Sequence, residues 1–121
     1  MIYKEEINTL IIGLGNIGCG YDLSENFKLN DPNSSKKILT HARAVSCHNK
    51  FNLISGIDNN QNSTLRFQSK YKVPVYKNLD LFLSNINLKI DCTIICVPPS
   101  EQFSLIKEVL EKIKPKLILL E

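Results

Sequence analysis

The chain has 121 residues, 43% of them hydrophobic and 22% charged, the proportions of one soluble globular domain. A chain of this length buries about two-thirds of its extended surface, so it folds without a metal or a disulfide. The net charge of +3 is spread along the sequence and the aromatic residues are not interleaved with the basic ones, so nucleic acid is not an expected partner. No apolar run near the start is long enough for a bilayer span or an export signal, so no membrane partner and a cytoplasmic location are expected. The four cysteines (Cys19, Cys47, Cys92 and Cys96) lack CxxC spacing and are read as reduced, inert thiols.

In chain order, Ile7 to Leu14 is an apolar run that ends in Gly-Leu-Gly. From Cys19 to about Leu39 turn formers dominate, and Asp31-Pro32-Asn33 reads as a turn. Thr40 is placed to cap a helix from His41 to about His48. Phe51 to Ile57 is a second apolar run, closed by Asp58, and Ser63 to Tyr71 a weaker helix. Val73 to Tyr76 is a third run, and Asn78 caps a short helix carrying Leu79, Phe82 and Leu83. Cys92 to Val97 is the fourth run, ending in Pro98-Pro99. Ser100 then reads as the cap of a helix with Phe103, Ile106, Val109, Leu110 and Ile113 on its core side, stopped by Pro115. Leu117 to Leu120 is the fifth run. Runs apolar on both faces, alternating with helices, predict a doubly wound parallel sheet, α/β/α in three layers and Rossmann-like.

Gly13-Leu14-Gly15-Asn16-Ile17-Gly18 is a GxGxxG directly after an expected strand. In that context the first glycine permits a tight turn, the second lets main chain approach a diphosphate, and the third packs helix on strand. Free N–H groups at such a helix start hold phosphates. The bland alternative is a glycine-rich turn with no ligand. Asp58 stands where an acid accepts hydrogen bonds from the adenosine ribose, and Asn59 and Asn60, not a base, follow it, which favours NAD over NADP. The usual spacing from glycines to acid is about 20 residues. Here it is 40, and removing the 22 residues from Cys19 to Thr40 leaves 18.

Taken together, these residues resemble the Gfo/Idh/MocA oxidoreductases, the glucose–fructose oxidoreductase and inositol dehydrogenase family. The resemblance rests on Gly13–Gly18, Thr40-His41-Ala42-Arg43-Ala44, Gly56-Ile57-Asp58, and Asp91 to Ser100, and it spans nearly the whole chain. It implies an N-terminal NAD(P)-binding Rossmann domain, a hydride transfer to or from a sugar or polyol derivative, and a C-terminal domain holding most of the substrate site. The nicotinamide is then expected at the end of the fourth strand, against Cys96, Val97 and Pro98. Gln102 stands where many members have His, and Glu121 matches the Glu of the family's Glu-Lys-Pro motif. The chain ends one residue before that Lys, so residues 1–121 are expected to hold cofactor without turning over substrate. No catalytic residue is assigned, and self-association through apolar surface is an expectation. Gly18, Tyr21, Asp22 and Thr40–Ala42 also resemble members associated with surface-sugar metabolism. A further departure is that Cys19–Leu39 interrupts the helix that usually begins at the third glycine.

The cofactor-contacting set is thus Gly13, Leu14, Gly15, Asn16, Ile17, Asp58, Asn59, Cys96, Val97, Pro98, Gln102 and Glu121. No metal is expected, because no Cys or carboxylate joins His41 and His48 at ligand spacing. His41 reads as a polar contact near the cofactor cleft or as solvated. Two rival readings stand beside the oxidoreductase. One is a non-catalytic dinucleotide sensor. The other is an S-adenosylmethionine-dependent methyltransferase, against which the full GxGxxG and Val97-Pro98-Pro99 argue.

Overall fold

The computed structural model of the protein describes residues 6–23 and 38–121. The turn expected at Asp31-Pro32-Asn33 lies outside them. Five strands pair in parallel: Ile7–Ile12 (β1), Phe51–Ile57 (β2), Val75–Tyr76 (β3), Cys92–Ile95 (β4) and Leu117–Leu120 (β5). Between them lie the helices His41–Cys47 (α1), Gln61–Tyr71 (α2), Leu79–Asn85 (α3) and Pro99–Lys112 (α4). The strand order is β3-β2-β1-β4-β5. The chain therefore builds outward from β1 on one side and then crosses back to start the other side at β4. Open α/β sheets bind ligands at this switch, outside the carboxyl ends of the strands.

Side chains alternate across the sheet and so build two cores. Leu10, Ile12, Ile54, Ile57 and Ile95 pack with Leu79 and Phe82 of α3 and Val109 of α4. Ile11, Cys92 and Ile94 face the other way, with Ala42 and Val45 of α1 and Phe67 and Tyr71 of α2. This is the expected three-layer arrangement. Helix starts are fixed locally. The Thr40, Asn60 and Asn78 side chains accept from the main-chain N–H groups of Arg43, Ser63 and Leu81. Each such cap stabilises its helix by about 1 kcal/mol.

Three expectations need correction. Ser100 does not cap α4: the helix starts two residues earlier than such a cap would set it, with Pro99 as its first residue. Proline suits that position because its missing N–H has no helical acceptor there anyway. The third run contributes only Val75 and Tyr76. Pro74 has no N–H for the ladder, but its carbonyl accepts from Gly56 N and Ser55 Oγ at the margin of the sheet. Third, Phe103 and Leu110 are not on the core side of α4. Phe103 is 80% exposed, whereas Val109 is fully buried. At about 100° per residue, positions 103 and 110 lie roughly 100–120° round the helix from Val109, beyond the reach of the sheet. Leu105, Ile106 and Ile113 make the contact instead.

Truncating Phe82, which is 1% exposed, is expected to cost about 3–5 kcal/mol of unfolding free energy. Phe103→Ala is expected to stay within about 0.5 kcal/mol. Urea denaturation of both variants checks the assignment; equal losses would contradict it.

Candidate functional site

At the end of β1 the chain turns sharply. Gly13 has φ +97°, and a Cβ there would run into the Cys96 carbonyl. It is pinned on one side by its N–H to Ile57 O at 2.8 Å, while next to it Cys96 N donates to Ile12 O at 2.7 Å. Only glycine combines that φ with that closeness. A Cβ on Gly18 would collide with the Gly13 carbonyl, so the third glycine lets the turn fold back on the strand. A Cβ on Gly15 would meet nothing within 4 Å. The turn is therefore open at its middle glycine.

From Gly15 to Gly18 the carbonyls of this turn are tied. Gly15 O accepts from Cys19 N and Gly20 N, both at 2.9 Å, and Asn16 O from Tyr21 N at 3.0 Å. Ile17 O accepts from His41 N at 3.2 Å and Gly18 O from Ala42 N at 2.9 Å. The amides of Gly15, Asn16 and Ile17 have no acceptor among the described residues. A helical start is thus stitched from two separate segments. His41 follows Ile17 by 24 residues where an uninterrupted helix needs four, so the intervening stretch adds 20. Removing 20, not the 22 read from sequence, from the 40 between Gly18 and Asp58 leaves 20, the usual spacing of about 20.

Asp58 follows β2 directly. Its Oδ2 accepts from Leu14 N at 2.8 Å and its Oδ1 from Asn60 N at 2.8 Å. Each oxygen keeps a lone pair for a further donor. The carboxylate is therefore held in place by the glycine turn and by the start of α2 while still facing a cleft of about 750 Å³, a size that suits a cofactor site. Gly13, Gly15, Ile17, Asp58, Asn59, Cys96, Val97, Pro98 and Glu121 all line that cleft.

The other three expected contacts, Leu14, Asn16 and Gln102, are not among the residues that line it. The Leu14 side chain is fully buried in the core, so this residue offers the site main chain only: its N–H goes to Asp58, and its carbonyl accepts from Arg66 Nη2 at 3.1 Å. Asn16 is exposed and its side-chain oxygen lies beside Gly20. Gln102 Nε2 donates to Val97 O at 3.1 Å and Glu121 O at 2.8 Å, which ties the ends of β4 and β5 together behind the cleft wall. The Glu121 carboxylate meets His41 Nε2 at 3.0 Å. His41 thus makes a polar contact with a cleft residue.

Lys77, Asn78, Leu79, Glu101, Leu105 and Glu108 also line the cleft and were not identified from sequence. Lys77 is the informative omission. It comes from the turn after β3, 19 residues beyond Asp58, and only the parallel pairing of β2 with β3 (Ile57 opposite Tyr76) brings it alongside. It also lines a smaller cavity with Asp58, Asn59, Gln61 and Thr64.

The residues fit a dinucleotide. Free main-chain donors at an open glycine suit a diphosphate, and a fixed carboxylate at the next strand end suits a ribose. Known proteins agree. A model of an oxidoreductase family with an NAD-binding Rossmann fold (Gfo/Idh/MocA) matches residues 7–121. Among solved structures, GenD2 from gentamicin A biosynthesis, in complex with NAD, superposes with a TM-score of 0.68 at 13% identity, covering 96% of this chain and 26% of that one. A myo-inositol dehydrogenase from Corynebacterium glutamicum gives 0.62 at 16% identity, covering 88% and 26%. Apo scyllo-inositol dehydrogenase from Lactobacillus casei gives 0.58 at 17% identity, covering 91% and 27%. These likenesses show the fold, and the chain spans about a quarter of each of those proteins. No curated protein matches in sequence.

All four cysteines are free thiols. Burial, with the Glu121 carboxylate adding to it, pushes the Cys96 thiol up to about 12. A raised value leaves the unreactive thiol at neutral pH. Iodoacetamide at pH 7.5 is expected to leave Cys96 unmodified while free cysteine reacts fully, with labelling rising only in strong alkali. Stoichiometric labelling at pH 7.5, read by mass spectrometry, would contradict this environment.

Proposed function

The chain belongs to the Gfo/Idh/MocA oxidoreductase family, and we propose that it is the NAD-holding part of a dehydrogenase acting on a sugar or polyol derivative. The observation that carries the reading is the fixed Asp58 carboxylate, bonded to Leu14 N at 2.8 Å, beside an open glycine turn where the amides of Gly15, Asn16 and Ile17 have no acceptor among the described residues. Gly15, Asn16 and Ile17 hold the diphosphate by their N–H groups. Asp58 accepts from the adenosine ribose. Cys96, Val97 and Pro98, with Glu121 alongside, flank the nicotinamide. When bound, NAD supplies the group that accepts or gives hydride, and the protein's part is to orient it and keep water away. The inositol dehydrogenases among the structural neighbours support a polyhydroxylated substrate. Most contacts to that substrate fall to protein outside these 121 residues.

NAD is favoured over NADP because a 2′-phosphate would meet the Asp58 carboxylate. Lys77, lining the same cleft, is the cation that would receive such a phosphate once the carboxylate is gone. Hydrogen bonds to a charged group contribute about 1.5–3 kcal/mol, so Asp58→Ala is expected to weaken NAD binding roughly 10- to 150-fold. It should also narrow the preference over NADP, and adding Lys77→Ala should abolish that gain. Calorimetric titration checks both; unchanged affinity for both cofactors in Asp58→Ala removes Asp58 from the site. In thermal-shift titrations of the unaltered chain, NAD is expected to stabilise more than NADP. Selective stabilisation by S-adenosylmethionine would overturn the oxidoreductase reading.

A further inference from the structure

We propose that Asp22 is a positioning residue for the diphosphate-binding turn, acting as the clasp that joins its two halves; the inference rests on the dinucleotide reading of that turn. Asp22 closes the short 3-10 turn Gly20–Asp22 and is fully buried. Its Oδ2 accepts from Leu39 N at 2.8 Å and Thr40 N at 3.0 Å, and its Oδ1 accepts from the Thr40 hydroxyl at 2.7 Å. A carboxylate is costly to bury without such partners, and three donors are turned on it here.

The position of the clasp gives it its role. Amides at a helix start point the same way only while their carbonyls are bound to the next turn. For Gly15 and Asn16 that next turn is Cys19 to Tyr21. For Ile17 and Gly18 it is His41 and Ala42, which arrive 20 residues late. Asp22 immediately follows the first segment and grips Leu39 and Thr40, which immediately precede the second. Thr40 in turn caps α1, its hydroxyl accepting from Arg43 N at 3.3 Å. One side chain therefore sets the seam on which the free amides depend. Asparagine can serve in its place, because its oxygen can accept from both amides while its NH₂ donates to the Thr40 hydroxyl. Alanine cannot.

The test titrates NAD, ADP and adenosine into the full chain, unaltered and as Asp22→Ala and Asp22→Asn, well below each melting temperature. Asp22→Ala is expected to weaken NAD and ADP about tenfold or more and to leave adenosine, which lacks phosphate, within about twofold. Asp22→Asn is expected to hold NAD within about threefold. A folded Asp22→Ala chain with undiminished NAD affinity, or one that loses adenosine as steeply as NAD, overturns the proposal. Hydrogen exchange on the unaltered chain needs no variant. By linkage, saturating NAD must slow exchange at the Leu39, Thr40, His41 and Ala42 amides, and unchanged exchange there overturns the clasp. Failure of the unaltered chain to bind NAD refutes the cofactor reading itself, whereas normal binding in Asp22→Ala refutes only the clasp.

Discussion

The site depends on a conflict within a few residues: main-chain donors must be left unpaired, yet held still. An unpaired N–H is costly to bury, which is why the turn opens at Gly15, where an added Cβ would touch nothing. Stillness comes from the carbonyl side. Every carbonyl from Gly15 to Gly18 is bonded, and Leu14 N is spent on Asp58. That last bond couples the two recognition elements. The Asp58 carboxylate and the glycine turn that carries the amides of Gly15, Asn16 and Ile17 share this one link.

The sheet supplies the place. β1 is the central strand, with β2 and β4 on its two sides. Gly13 lies between the ends of both, donating to Ile57 O and pressed against the Cys96 carbonyl. The cleft is thus the gap the topology leaves at its switch point. Gln102 and the contact between His41 and Glu121 close its far wall by tying α4 and α1 to the end of β5.

Much of this was legible in the sequence. Strand runs such as Phe51–Ile57 and caps such as Thr40 and Asn78 are local signals, written in adjacent residues. The glycine turn and Asp58 were legible because their meaning is carried by spacing from a strand. What escaped depends on distant segments meeting. Lys77 enters the cleft only through the pairing of β2 with β3. The net length of the stretch after Gly18 is set by the bonds from His41 and Ala42 to Ile17 and Gly18. Phe103 and Leu110 have helical periodicity like their neighbours, but the width of the sheet decides which of them it covers. The Asp22 side chain stands in a run of turn formers, and nothing local distinguishes its partners at 39 and 40.

The central claim is that the diphosphate of NAD sits on the amides of Gly15, Asn16 and Ile17. Following the backbone amide resonances of the isotope-labelled chain during titration with NAD tests it most directly. The account predicts the largest shifts at those three amides, with smaller ones at Leu14 and Asn60 through the shared Asp58 carboxylate. Saturation by NAD with those three resonances unmoved, or with the largest shifts on the opposite edge of the sheet, would contradict it.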